Sequence, residues 1–295
     1  MAGNRPPSVR ARRLAAELRR FRETSGRTGE EVAKRLRWSP SKVSRIETAN
    51  STVTISDLRR LLNLYQVSDS SRSRLEELCQ TASQRGWWVE VDDTLRQGFL
   101  TLLELEDDVE SVRCFASMVV PGLLQTETYA QEIMRPARLF TPAGELSRRV
   151  TIRMTRQKVL TKDTPMKLTV ILDEAVLRRQ MGGPEVMREQ FSRLLERSRL
   201  PNIELQVLPF TAGSHAAMAG TFTILHFPES ISTDSDAVYL ENLTSDGFIE
   251  DEREVDRYSR VFEELRELAL SAEESTSLIG QYIDKADKDN GGVIR

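Results

Sequence analysis

Thiols and imidazoles are scarce in this 295-residue sequence: two cysteines and two histidines in all. Cys79 and Cys114 stand far apart and fit no CxxC or CxxH spacing, so neither a disulfide framework nor a zinc site follows, and two buried, reduced thiols are expected. His215 and His226 fall in no HExxH or other two-ligand spacing, which argues against a zinc hydrolase. Long apolar runs are missing as well. The opening MAGNRPPSVRARRLAAELRR has no apolar stretch of leader length, and later runs fall short of a membrane span, so a cytoplasmic protein with no membrane contact is expected. MGGPE (181–185) has no GxxxxGK[ST] around it, and DKDNGG (287–292) meets no twelfth-position Glu, so neither a phosphate loop nor a calcium loop is indicated. The adjacent carboxylates Asp173 and Glu174 follow a predicted strand and read as a helix cap, and the acidic ELEDDVE (104–110) reads as a solvated helix face. No enzyme and no cofactor are expected.

What is present is a polarised charge. Residues 1–86 carry 18 Lys and Arg against 9 Asp and Glu, a balance of +9, whereas the remainder has 24 against 36, a balance of −12, giving −3 together. A cationic block of this kind suits a polyanion, and an acidic remainder discourages the rest of the chain from lying on the same polymer. The length suits about two domains.

Local pattern sharpens the N-terminal reading. In ARRLAAELRRFRETS (11–25), Leu14, Leu18 and Phe21 recur at helical spacing before a stop at Gly26. Thr28 followed by Glu31 forms a capping-box pattern, and Val32, Ala33 and Leu36 make one apolar stripe. Ser39 as N-cap and Pro40 at the first helical position announce a third helix, separated from the second only by Arg37 and Trp38. Two short helices joined so tightly cross at a large angle, the geometry of a helix-turn-helix. Val43 and Ile46 then pin the third helix, and Ser41, Lys42, Ser44 and Arg45 remain to read base edges, Arg45 as a bidentate partner for guanine. Thr28, Gly29, Ser39 and Asn50 flank that face and are assigned to phosphates.

The run LRRFRETSGRTGEEVAKRLRWSPSKVSRIETA (18–49) resembles the Xre-type helix-turn-helix domain of phage repressors and many bacterial regulators. That resemblance implies a five-helix domain, its last two helices in TISDLRRLLNLYQV and DSSRSRLEELCQTASQR, and a structural ion pair between Arg22 and Glu47. The sequence departs from the family pattern at four places. Arg37 and Ala49 stand where glycine is usual, Pro40 where a base-reading glutamine is frequent, and Gly29 where a phosphate-contacting glutamine is common. A non-glycine residue at 37 requires either a left-handed backbone there or a different turn.

Beyond residue 86 the texture changes. GWWVEVDD opens a new unit, with Trp87 and Trp88 as anchoring or core aromatics. A helix in TLRQGFLTLLELEDDVE precedes a strand in SVRCFASMVV, a helix resumes within PGLLQTETYAQEIMR after the punctuation of Pro121 and Gly122, and a charged helix runs from Pro142 to about Thr161. Strands KLTVILD, IELQVLP, TFTILHF and AVYLEN follow, with helices at EAVLRRQM and PEVMREQFSRLLERS between the first two, and EREVDRYSRVFEELRELAL and SAEESTSLIGQYIDKA close the pattern as helices. A multidomain fold is expected: an all-α head at 11–86 after a disordered arm (1–10), then a mixed α/β (α+β) regulatory and dimerisation domain at 87–285 with about five strands, and a disordered tail (286–295).

The blocks VVPGLLQTETYA, RMTRQKVL, ILDEAVLRRQMGG, QVLPFTAGSH and GTFTILHF resemble the C-terminal domain of WhiJ-like, antitoxin-like regulators of actinobacteria, a domain of unknown function attached to an Xre-type head. The resemblance implies transcriptional control. The expected function is a repressor-like regulator binding double-stranded DNA at a pseudo-palindromic operator as a homodimer, its C-terminal domain sensing a small molecule or protein partner. The alternative is an antitoxin-like module that sequesters a small partner protein and autoregulates its operon.

Overall fold

The computed structural model describes residues 9–83, 95–136, 144–228 and 236–291. Trp87 and Trp88, and the expected domain boundary beside them, lie outside these residues. The chain forms two compact units that divide at about residue 90.

The first unit holds five helices: α1 (Val9–Thr24), α2 (Gly29–Leu36), α3 (Pro40–Glu47), α4 (Ile55–Tyr65) and α5 (Asp69–Ser83). Each short helix starts where its sequence supplies an acceptor for an orphan amide. Thr28, Ser39 and Thr54 cap α2, α3 and α4 from extended backbone, and Thr28 with Glu31 forms the reciprocal capping box. One side of every helix then enters a common core built on Leu14, Leu18, Val32, Ile46, Leu58 and Leu75. Helix α1 begins inside the stretch expected as an arm, at Val9.

The second unit opens with α6 (Gln97–Glu106) and strand β1 (Ser111–Ala116). Helices α7 (Glu127–Met134) and α8 (Glu145–Arg156) lead to β2 (Lys167–Asp173), and α9 (Glu174–Arg178) and α10 (Pro184–Arg197) lead to β3 (Ile203–Leu208). Then come β4 (Phe222–His226), β5 (Ala237–Glu241), β6 (Asp246–Ile249), α11 (Glu252–Leu268) and α12 (Ala272–Gly291). The sheet has six strands in the order β3-β2-β1-β4-β5-β6. The β1–β2 and β2–β3 pairs are parallel and the rest antiparallel. Helical crossovers separate the parallel strands, as their long connections require, whereas β4 to β6 follow one another through short ones.

Strand alternation sorts the side chains. Phe115, Ile171, Phe222, Ile224 and Val238 face α11, where Phe262 and Leu265 complete a buried cluster. Val112, Cys114, Leu168, Thr223 and Tyr239, one residue out of step, face the other way.

Five strands, β1 to β5, are legible in the sequence as alternating or continuous apolar runs. The sixth, DGFI, is not: all four residues are only half-buried. It is held instead by α6, where Asp246 accepts from the Phe99 N–H at 3.1 Å, and by the Phe248 ring against Tyr239. Two further corrections concern carboxylates and the chain end. Glu106, expected on a solvated face, is 1% exposed and clasped by Arg156. Helix α12 continues to Gly291, through the residues expected to begin a disordered tail at 286.

Candidate nucleic-acid interface

The α2–α3 junction is built without glycine. Arg37 adopts φ 56°, ψ 43°, and the Trp38 N–H reaches back to the Ala33 carbonyl at 2.8 Å, closing α2 with a left-handed residue that is ordinarily glycine. Ala49 does the same after α3, with φ 56°. The two usual glycine positions thus keep their backbone geometry and lose only the residue that makes it cheap.

Trp38 fastens the turn. Its ring lies between two cations, Lys42 Nζ at 4.0 Å and Arg60 Cζ at 5.2 Å, and Arg60 Nη2 donates to the Leu36 carbonyl at 2.6 Å. Sequence reading overlooked Arg60, because its partner is a carbonyl 24 residues away. Arg22 is the second fastener: Nε and Nη2 donate to the two Glu47 carboxylate oxygens at 2.8 and 3.0 Å, and Nη1 to the Arg27 carbonyl at 2.9 Å. One guanidinium therefore joins α1, the turn before α2 and the end of α3. The hydrogen-bonded Glu47 carboxylate raises its pKa further against the opposing effect of burial.

Val43 and Ile46 are each 2% exposed and fix α3 to the core. Ser41, Ser44 and Arg45 are exposed on the opposite side, and the Arg45 guanidinium makes no hydrogen bond or ion pair with a described residue. Lys42, expected beside them, is not free: its ammonium contacts Asp57 at 2.7 Å as well as the Trp38 ring. Lys42 thus joins α3 to α4. Around this face, the Thr28 and Ser39 hydroxyls accept from the Glu31 and Lys42 amides at 3.2 Å each. Gly29 occupies the first position of α2, where an amide has no intrahelical partner. Asn50 is exposed and donates to the Thr48 hydroxyl at 3.0 Å.

Pairing concentrates the charge. Arg19, Arg20, Arg22, Lys42, Arg59, Arg72 and Arg74 are all matched with carboxylates inside the head. Arg27, Lys34, Arg35, Arg37 and Arg45 make no ion pair with a described residue, and all five lie between the end of α1 and the end of α3. Among the described residues, these five cations without an ion pair gather on the helix-turn-helix.

In the second unit, Asp173 accepts from the Ala175 N–H at 2.8 Å and caps α9, as its position predicted. Glu174 does more: it accepts from the Phe210 N–H, the Tyr282 hydroxyl and Arg178. Burial pushes its carboxyl up, but these three donors outweigh burial and hold it below the ordinary value. No group of three or more His, Cys, Asp or Glu suited to a metal ion occurs among the described residues, and none of their helices is long and apolar enough to cross a membrane.

Comparison with known families fits these two units. Residues 13–75 match a helix-turn-helix domain, and residues 99–281 match a domain of unknown function, DUF5753. No curated protein and no solved structure gives a match. With more than half of its length in the second match, the chain belongs to the DUF5753 family, and the helix-turn-helix domain ahead of it makes it a DNA-binding protein of transcriptional control.

Proposed function

We propose that this protein is a cytoplasmic, repressor-like regulator of the WhiJ-like actinobacterial kind. As a homodimer it reads a pseudo-palindromic operator, and it carries no enzymatic activity. The observation that supports this best is the exposed, unpaired Arg45 on a helix immobilised by Val43 and Ile46. A guanidinium held on a rigid element can form a bidentate pair with guanine O6 and N7. Ser41 and Ser44 are short enough to let the helix approach the groove floor. The N-terminal ends of α2 and α3, with Thr28, Gly29, Ser39 and Asn50, take phosphates and set the register, and the unpaired cations from Arg27 to Arg37 supply the sequence-independent attraction. In the dimer, half-sites lie about 34 Å apart, one helical turn. The second unit dimerises and takes the signal.

The acidic balance of the C-terminal part also favours a second reading, the antitoxin-like one, in which that unit captures a small cationic protein and DNA binding serves autoregulation. Co-purification separates the two: a stoichiometric small partner supports the second.

The test of the first is selection of an operator from random duplexes, followed by binding of Arg45→Ala to the selected and to scrambled DNA. The substitution should cost about 1 to 3 kcal/mol on the operator and flatten preference at one base position. Equal losses on both duplexes overturn the role given to Arg45.

A further inference from the structure

The face of the sheet turned away from α11 encloses a cavity of about 310 Å3. Its floor is apolar, with Val112, Ala116 and Leu168 from β1 and β2, and Arg153 and Arg156 reach it from α8. The volume lies at the lower end of the range for small-molecule sites. Two of the sequence blocks singled out above converge on it, VVPGLLQTETYA through Val119 to Gln125 and RMTRQKVL through the two arginines, and the DNA-binding reading leaves both without a task.

The two guanidinium groups are neighbours over Gly122, where a Cβ would stand 3.4 Å from Arg156 Nη1 and 3.5 Å from Arg153 Nε. They are not equivalent. The Nε–Nη2 edge of Arg156 holds the buried Glu106 carboxylate in a fork, with both contacts at 2.5 Å. Arg153 donates through Nη1 to Gln125 Oε1 at 2.8 Å, and Gln125 is itself fixed by the Val120 carbonyl at 2.6 Å. The Nε–Nη2 edge of Arg153 has nothing: Nε is buried without a partner, and Nη2 makes no hydrogen bond to a described residue. Beside it, Tyr239 lines the cavity, is 4% exposed, and has its hydroxyl buried without a partner too.

The cavity lining carries two cations and two carboxylates, but only one pair is in contact, and Glu241 acts on Arg153 without a hydrogen bond to it. Glu106 cancels Arg156, and the remaining carboxylate of the lining, Glu241, is exposed at the end of β5. Burial, then the neighbouring Arg156, push the Arg153 guanidinium down to about 10. A guanidinium edge with its Nε buried and no acceptor on it, and a buried hydroxyl lacking an acceptor, are each destabilising, and one group relieves both.

We infer that this cavity is a ligand site for a small carboxylic acid with an apolar body. The carboxylate sits on the Nε–Nη2 edge of Arg153, as Glu106 sits on Arg156, and accepts from the Tyr239 hydroxyl while the body lies against Val112, Ala116 and Leu168. As a signal this ligand rests on the regulator reading; as a binding site it does not.

The experiment is calorimetric titration of the full chain, without DNA, using hexanoate, benzoate, phenylacetate and 3-phenylpropanoate, each beside its primary amide. At least one acid should bind saturably and its amide about tenfold more weakly or worse, the cost of a lost charge-assisted hydrogen bond. Arg153→Gln should weaken the acid about tenfold to a hundredfold. Tyr239→Phe guards against misfolding: it removes only an unsatisfied hydroxyl, so it should melt no lower than the parent yet bind the acid about three- to tenfold more weakly. Failure of all four acids to bind, amides binding as well as acids, or unchanged affinity in Arg153→Gln each overturns the site. An acid that binds without altering operator affinity removes the sensing role and leaves the site standing.

Discussion

Replacing Arg37 with glycine should move stability and DNA affinity in opposite directions. The residue holds φ 56°, ψ 43°, where a side chain costs about 1 to 2 kcal/mol that glycine avoids. Glycine returns about 0.5 to 1 kcal/mol of that through the greater freedom of its unfolded chain. The net gain is about 0.5 to 1 kcal/mol, which for a unit the size of the head raises the melting midpoint by about 2 to 8 °C. The same change deletes one of the five unpaired cations of the helix-turn-helix, so affinity for any duplex should fall and the salt slope should shrink by about one. Ala49→Gly is the control: its backbone is equally left-handed, at φ 56°, and no charge is lost. Both variants, as full chains, should be followed by thermal unfolding and by anisotropy on labelled duplexes at several salt concentrations. Destabilisation by Arg37→Gly, or an equal loss of salt slope in Ala49→Gly, would refute the account of this turn.

Three further outcomes follow from named contacts. Glu47→Gln should destabilise the head by about 2 kcal/mol, since it leaves the Arg22 guanidinium largely buried against a neutral partner, and urea unfolding should show a lower midpoint with an unchanged slope. Glu174→Gln should flatten the acid limb of the stability curve. The folded carboxyl titrates below its ordinary value, so its contribution is complete above about pH 4.5 and is lost as pH falls through the folded value, and denaturation between pH 3 and 7 reads the difference. Lys42→Ala should cost about 0.5 to 1 kcal/mol of stability through the half-exposed Asp57 contact while leaving base preference intact at every operator position; a changed preference in selection experiments would return Lys42 to the reading face.

The head was legible in sequence because its determinants are local. A cap and its amide lie two or three residues apart, an apolar stripe repeats every three or four, and the Thr28, Ser39, Val43 and Ile46 readings depend on nothing farther away. Lys42 failed that logic. Helical spacing put it on the same side as Ser41 and Arg45, but a four-carbon stem reaches sideways, and Asp57, 15 residues on, decides where the ammonium rests. The same distance problem hid Glu106. Read in ELEDDVE it is one acid among many; its partner Arg156 lies 50 residues away on another helix, so its burial could not be inferred from the neighbours it has in sequence.

The cavity extends this contrast to function. Glu106 and Arg153 differ in sequence from dozens of other charged residues only in what the fold brings to them, and the fold supplies Arg156 to the first and no carboxylate within hydrogen-bond distance to the second. A charge that is buried and matched roughly offsets its own desolvation, whereas one that is buried and unmatched is a standing cost that selection removes easily, by shortening the side chain or adding a partner. Tyr239 makes the same point with a hydroxyl that phenylalanine would replace at no loss of packing. Two such unanswered donors facing one small cavity are better explained by a missing acceptor than by two separate flaws, and an acceptor that also carries charge satisfies both.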